Sequence, residues 1–268
     1  MLTRQSHKHA ALIALSAFAA LVACIFAFAP HAMADSSGAA EGGSDATLEI
    51  TSVSELAGKK AGMLNGGIFD LLLANNVEGV SQDDFMYFNS NAETVGSLIT
   101  GKIDAMITDL PIAQLAVNKQ SGIGIVPGYI VEDHYGYVLP KNSPLTAKFN
   151  ERLAAYREDG TIERLKEEWT GADDSAKTMP EQGWDASNGE LVVTTTVDND
   201  PVNYMVGDRA SGMCIELLEL IAKDLGYSVR YQFTNSGSII AEIESGKADI
   251  AASRDGGSTP GGTVWPKQ

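Results

Sequence analysis

Short apolar runs and segments with helical spacing alternate along most of this chain, and this alternation restricts the possible fold more than any other feature. Between residues 48 and 171, five apolar runs are separated by segments whose apolar residues recur with the period of a helix. Such an order predicts βαβ units and a mainly parallel sheet. The predicted strands cover residues 60–64, 85–89, 105–108, 123–127 and 135–139.

The same kind of alternation returns near the end of the chain. Residues 172–188 break every periodicity and are rich in Asp, Ser, Gly and Pro, which predicts a linker between two modules. A second set of elements follows. Its predicted strands are 190–196, 228–234 and 248–253, and its predicted helices are 211–226 and 238–246.

One sequence pattern occurs in both parts of the chain. The segment Gly101-Lys102-x-Asp104, preceded by a helix-period segment, recurs 145 residues later as Gly246-Lys247-x-Asp249. In both places a helix, a glycine stop and a strand follow one another, which predicts two related lobes. We interpret Asp104 and Asp249 as turn-forming residues, not as ligands.

The N-terminus has the features of an export signal. Arg4 and Lys8 precede an uncharged apolar stretch, and Ala32 and Ala34 fit the pattern that signal peptidase reads, so residues 1–34 are predicted to be removed. Two alternatives are lipidation at Cys24 and an uncleaved membrane anchor. All three place the remaining chain outside the cytoplasm. Residues 35–46 are predicted to be a flexible tether, and residues 254–268 a disordered tail.

Charge and cysteine content exclude several functions. The chain has 35 acidic and 19 basic residues, a formal net charge of −16, which argues against nucleic-acid binding. Only Cys24 and Cys214 are present, so neither a disulfide framework nor a four-cysteine zinc site can form within the chain. We predict neither a metal nor another cofactor.

Several longer segments resemble a known family. Residues 56–66, 87–93 and 101–109 are similar to the second lobe of the extracellular solute-binding proteins of family 3. Residues 47–171 thus resemble a second lobe with its return helices, and residues 189–253 resemble the start of a first lobe. The resemblance implies a periplasmic-binding-protein type II-like α/β fold with two lobes, each with a mainly parallel sheet, and an incomplete second module. A downstream frameshift or premature stop would explain why the pattern ends at Ser253.

The resemblance also implies a function. It is typical of an exported binding protein that delivers an amino acid or a similar small polar solute to the permease of an ABC importer. An alternative is the ligand-sensing domain of a membrane receptor, and a lyase or dehydratase on the same fold is a weaker one. After residue 34 the only histidine is His134, interpreted as a surface loop residue, and no GxSxG or HExxH motif occurs. An enzyme is therefore not predicted.

Six residues are candidates for ligand contacts. The resemblance implies that Asp109 binds the ligand ammonium, and the alternative is a helix N-cap before Leu110-Pro111. The pair Gly66 and Gly67 is predicted to hold an anion with its backbone N–H groups, or to be an ordinary tight turn. The remaining candidates are Tyr204 and Asp200, in the region of an aromatic wall or in an exposed loop, and Phe69, as wall or core.

Overall fold

A computed structural model describes residues 13–28 and 50–253 of the chain. These residues divide into two compact units. The N-terminal unit comprises residues 20–28, 50–132 and 170–172, and the C-terminal unit comprises residues 13–19, 133–169 and 173–253. The predicted tether and tail lie outside the described residues.

The first nine elements contain all the strands of the N-terminal unit. They are β1 (Ile13–Phe28), β2 (Ala61–Leu64), α1 (Phe69–Asn76), β3 (Phe85–Phe88), α2 (Asn91–Ile99), β4 (Ala105–Asp109), α3 (Leu110–Lys119), β5 (Ile123–Ile125) and β6 (Val131–Leu139). β2 lies between β3 and β4 and is parallel to both. The predicted parallel βαβ units are therefore confirmed in this unit.

Strand β4 forms the centre of the N-terminal core because both of its faces are buried. Ala105 and Ile107 pack in one cluster with α1, and Met106 packs in a second cluster with residues of α2 and α3. Successive side chains of a strand point to opposite faces, so a continuous apolar run is what a strand between two helix layers requires.

Strand β1 lies within the predicted signal peptide. Its backbone pairs antiparallel with β4, where Cys24 lies opposite Thr108, and with β5, where Phe26 lies opposite Ile125. Cleavage after Ala34 would remove this strand and leave the backbone groups that it pairs without their partners. The signal peptide itself and its three modes of processing stay predictions.

The later elements belong to the C-terminal unit. They are α4 (Leu145–Glu158), α5 (Thr161–Thr170), β7 (Glu190–Thr195), β8 (Asp198–Asn199), β9 (Asn203–Val206), β10 (Arg209–Ser211), α6 (Met213–Asp224), β11 (Ser228–Phe233), α7 (Ile239–Glu244) and β12 (Ile250–Ser253). β7 lies between β11 and β12 and is parallel to both, and β6 pairs antiparallel with the other edge of β12. The α/β class is thus confirmed in both units.

The unit boundary differs from the sequence-based boundary near residue 171. Most of β6 and nearly all of the return helices α4 and α5 lie in the C-terminal unit. Tyr137 of β6 donates its hydroxyl to the carbonyl of Cys214 at 2.7 Å, and Tyr156 of α4 donates to Asp224 at 2.6 Å. The return segment therefore packs on α6, which the sequence had placed in a separate module. His134 lies in β6, so its interpretation as a loop residue is wrong.

Residues 173–188 have little regular structure, yet side chains fix them to the C-terminal unit. Trp184 donates its indole N–H to the carbonyl of Tyr227 at 2.7 Å, and Asn188 donates its side-chain amide to Leu225 at 2.8 Å. Arg209 donates to the carbonyl of Pro180 at 2.5 Å. Within the described residues, this segment joins two parts of one unit, which differs from the predicted linker between modules.

The repeated sequence pattern corresponds to a repeated structural device. Asp104 accepts the N–H of Lys60 at 2.8 Å and returns its own N–H to the Lys60 carbonyl at 2.9 Å. Asp249 does the same with Val192, at 2.8 Å in both directions. Each aspartate thus ties the start of its strand to the neighbouring parallel strand, which confirms the two as turn residues and explains why both units keep the pattern.

Candidate functional site

Three predicted site residues lie at one edge of the sheet in the N-terminal unit. β2 and β4 are parallel neighbours with Ala61 opposite Ala105. The turn with Gly66 and Gly67 follows the carboxyl end of β2, and Asp109 ends β4. Ligands of open α/β sheets bind beyond the carboxyl ends of the strands. This edge of the unit is therefore the candidate site.

Asp109 ends β4 and is the N-cap residue of α3, and it is only 3% exposed. The N-cap position agrees with the alternative given from the sequence, but the Asp109 side chain makes no capping hydrogen bond to the helix. Pro111 in the first turn has no N–H to be capped, which removes one of the donors that a cap would satisfy. The Asp109 carboxylate therefore lies at the candidate site and does not cap α3.

The glycine turn is suited to close backbone approach. Gly66 has φ +76, a left-handed conformation that other residues adopt only with strain. A side chain at Gly66 would meet no atom within 4 Å, so backbone conformation and not lack of space favours glycine there.

Phe69 is 3% exposed and belongs to the apolar core with Leu73, which makes it a core residue and not a ligand wall.

Asp200 and Tyr204 lie in the C-terminal unit. Sequence reasoning placed both in a loop, but β8, β9 and β10 form a small antiparallel sheet in which Tyr204 pairs with Asp198. Asp200 is exposed at the turn between β8 and β9. The Tyr204 ring contacts Trp169 edge to face, with ring centres 6.0 Å apart. Burial, together with Asp200 and Asp174, raises the pKa of the Tyr204 hydroxyl.

Sequence analysis missed a polar network at the carboxyl end of β7. Asn203 donates its side-chain amide to the Thr196 carbonyl at 2.8 Å, to the Thr196 hydroxyl at 3.0 Å and to the Thr195 hydroxyl at 3.2 Å. Thr195 donates in turn to the Ala252 carbonyl at 3.0 Å. The three successive threonines Thr194, Thr195 and Thr196, where β7 ends, were the available signal. The network attaches the β8–β9 hairpin to the carboxyl end of β7.

The same hairpin occupies the N-terminus of α6. The N–H groups of Met213 and Cys214 donate to the carbonyls of Pro201 and Val202, both at 3.0 Å. Gly212 makes this approach possible, since a Cβ there would lie 2.4 Å from the Val202 oxygen. These two helix donors are therefore used within the protein.

Two buried carboxylates face the return segment and residues 173–188. Glu216 is 6% exposed and accepts the indole N–H of Trp169 at 2.6 Å. Glu219 is fully buried and pairs with Arg209 at 2.9 Å, and it accepts the Tyr231 hydroxyl at 3.2 Å. Burial raises the pKa of both carboxyl groups, and their hydrogen bonds oppose that shift. Sequence reasoning had no means to pair residues so distant in the chain.

The raised pKa of Glu216 gives a prediction with a defined sign. A carboxyl whose folded pKa lies above its ordinary value of 4.5 stabilises the fold below that value and loses this stabilisation as the pH rises. We expect the free energy of unfolding of Glu216→Gln, relative to that of wild type, to be higher at pH 7 than at pH 4. Urea unfolding at both pH values measures the difference.

Glu242 provides the matched control for this prediction. Hydrogen bonds from Thr194 and Gln232 hold the pKa of Glu242 below its usual value. Its contribution is present above the ordinary pKa and lost as the pH falls, so Glu242→Gln should cost more stability at pH 7 than at pH 4. Equal effects of Glu216→Gln at the two pH values would contradict the assignment.

Comparison with known proteins gives partial matches to one family of binding proteins. Residues 191–255 match the model of the bacterial extracellular solute-binding proteins, family 3. The L-cystine-binding protein TcyJ of Escherichia coli K12 is 32% identical over 126 residues, 46% of each chain. Each of these two matches covers less than half of this chain. The parallel sheets of both units confirm the α/β class, while the periplasmic-binding-protein type II-like fold and the incompleteness of the second module stay predictions.

Two further similarities are also partial. The arginine-binding extracellular protein ArtP of Bacillus subtilis is 31% identical over 78 residues, 29% of each chain. Among solved structures, the arginine-, lysine- and histidine-binding protein ArtJ of Geobacillus stearothermophilus is 21% identical with a TM-score of 0.40, over 56% of this chain and 59% of ArtJ. The chain spans less than half the length of these curated relatives. No helix among its described residues is long and apolar enough to cross a membrane.

Proposed function

We propose that this chain is an extracytoplasmic solute-binding module of an ABC importer that binds an amino acid or a similar small polar solute. The relatives TcyJ and ArtP, named for binding cystine and arginine, support this function. The observation that carries it is the position of Asp109, a buried carboxylate at the carboxyl end of a central strand. Such a group is suited to an ammonium.

Asp109, Gly66 and Gly67 have separate roles in this proposal. Asp109 accepts hydrogen bonds from the ligand ammonium. Gly66 and Gly67 offer backbone N–H groups to the ligand, and the roles of Tyr204 and Asp200 stay predictions. Binding proteins of this kind act by domain closure and do no chemistry. In this proposal the bound solute is passed to a permease, which is the partner of the chain. In this proposal the protein acts outside the cytoplasm. It is held at the membrane by a lipid or by its uncleaved signal segment, or it is released when the signal segment is cleaved.

Isothermal titration of the full chain with L-cystine, L-arginine, L-glutamine and L-glutamate tests the proposal. Wild type should bind at least one of them saturably, and Asp109→Asn should weaken that affinity about tenfold or more, because a charge-assisted hydrogen bond is lost. Asp83→Asn removes the same charge from an exposed position of the same unit and should leave binding unchanged. Flat titrations with all four, or equal affinities of wild type and Asp109→Asn, contradict the proposal.

A further inference from the structure

Asn199 of β8 is a buried amide without a hydrogen-bond partner. The residue is 2% exposed, and neither its side-chain oxygen nor its side-chain nitrogen has a partner among the described residues. Buried side-chain amides in folded proteins are nearly always hydrogen-bonded, because an unsatisfied buried polar group destabilises the fold. The side-chain NH₂ group, a donor, and the side-chain oxygen, an acceptor, are therefore both unsatisfied in Asn199.

The register of the hairpin shows where this amide faces. Asn199 lies directly opposite Asn203 in the antiparallel pair of β8 and β9. Side chains at opposed positions of an antiparallel pair project to the same face. The Asn203 amide reaches Thr195 and Thr196, at the carboxyl end of β7. The Asn199 amide therefore faces the same end of the sheet, where ligands of α/β proteins bind.

Neighbouring groups do not compensate for this amide. The donor of Asn203 is already shared by the two threonines, and the Thr195 hydroxyl donates to Ala252. Asp198 and Tyr204 form the adjacent pair of the hairpin, so they project to its opposite face, where Tyr204 contacts Trp169. The backbone carbonyl of Asn199 is used by the Val202 N–H at 2.7 Å, which fixes the turn but leaves the side chain unsatisfied.

We propose that Asn199 is a specificity-determining residue that pairs with a carboxamide group of the ligand. A carboxamide supplies both the acceptor that the Asn199 N–H requires and the donor that its oxygen requires. A carboxylate supplies acceptors only, so it would leave the Asn199 oxygen unsatisfied. The inference rests on the proposed function and names its ligand class: an amino acid or short peptide with a primary amide.

Two measurements on the full chain test the assignment, and the first needs no ligand. Thermal unfolding of Asn199→Ala should occur at the wild-type temperature or above it, because the variant removes an unsatisfied amide. Asn203→Ala is the matched control, and its melting temperature should fall by about 2 °C or more, because its amide is hydrogen-bonded. If Asn199→Ala is destabilised as much as Asn203→Ala, the amide has a structural partner such as a buried water, and the proposal is overturned.

The second measurement is titration with L-glutamine and with the isosteric L-glutamate. Wild type should prefer L-glutamine, and Asn199→Ala should bind it about tenfold or more weakly and lose the preference. Asn199→Ser, a smaller change, should weaken L-glutamine in the same direction. Retained affinity in both variants, or a wild-type preference for L-glutamate, overturns the proposal while the proposed function stands. If no amino acid binds wild type at all, the proposed function fails, and the assignment of Asn199 as a ligand contact fails with it.

Discussion

Residues 189–253 alone should remain unfolded in solution, whereas residues 133–253 should fold cooperatively. The shorter fragment lacks β6, so one edge of β12 would expose its backbone groups, and it lacks the aromatic side chains that cover α6. The longer fragment retains the four adjacent strands β11, β7, β12 and β6. Circular dichroism and urea unfolding of both fragments measure the difference.

The expected result follows from the position of the hydrogen bonds that join the two parts. Three aromatic residues of the return segment donate hydrogen bonds to α6. Tyr137 donates to the Cys214 carbonyl, and Trp169 donates to the Glu216 carboxylate. Tyr156 donates to the Leu220 carbonyl and to the Asp224 carboxylate. Apolar surface on α6 that these side chains bury would otherwise face water. A cooperative transition in 189–253 alone would contradict this account, as would an unfolded 133–253 fragment.

Replacing Trp169 by alanine should lower the free energy of unfolding of the C-terminal unit by about 3–5 kcal/mol. The side chain is 1% exposed, so its removal leaves a cavity beside Tyr204. It also leaves the Glu216 carboxylate buried without its donor. Urea unfolding followed by circular dichroism measures the loss, and hydrogen exchange of α6 amides shows that it lies in this unit.

Two control variants separate packing from charge. Trp169→Phe keeps an aromatic ring next to Tyr204 but removes the indole N–H, so it should cost about 1–3 kcal/mol. Phe233→Ala removes an aromatic ring that is 50% exposed and should change stability by about 0.5 kcal/mol or less. A Trp169→Ala variant that is no less stable than Phe233→Ala would show that the Trp169–Glu216 contact does not hold the unit together.

Elements with local signals could be predicted from the sequence. Ser90 and Glu93 have the spacing of a capping box, and in the structure Ser90 accepts the Glu93 N–H at 3.1 Å while Glu93 accepts the N–H of Asn89 at 3.2 Å. Strand positions agree within a few residues because continuous apolar runs identify strands that are buried on both faces. The short strands β8 and β10, with two and three residues, were missed because they are too short for any periodicity.

The candidate site was predictable in part. Asp109 and the glycine turn share one sheet edge because parallel strands end at the same side, a consequence of topology that the strand order already implies. Phe69 could not be assigned from sequence, since a residue that begins a helix after a turn can face either the core or the ligand. Asn199 gave no signal at all, because lack of a hydrogen-bond partner is a property of the surroundings.

The sequence by itself determined the alternation of strands and helices and the repeated Gly-Lys-x-Asp turn, because spacing and hydrogen bonds within a few residues specify them. Only the tertiary structure decided that the return segment and residues 173–188 belong with β7–β12. The contacts responsible join residues about 30–80 positions apart, such as Tyr137 with Cys214 and Arg209 with Pro180. Such contacts depend on burial and on the path of the whole chain, and no local pattern records them.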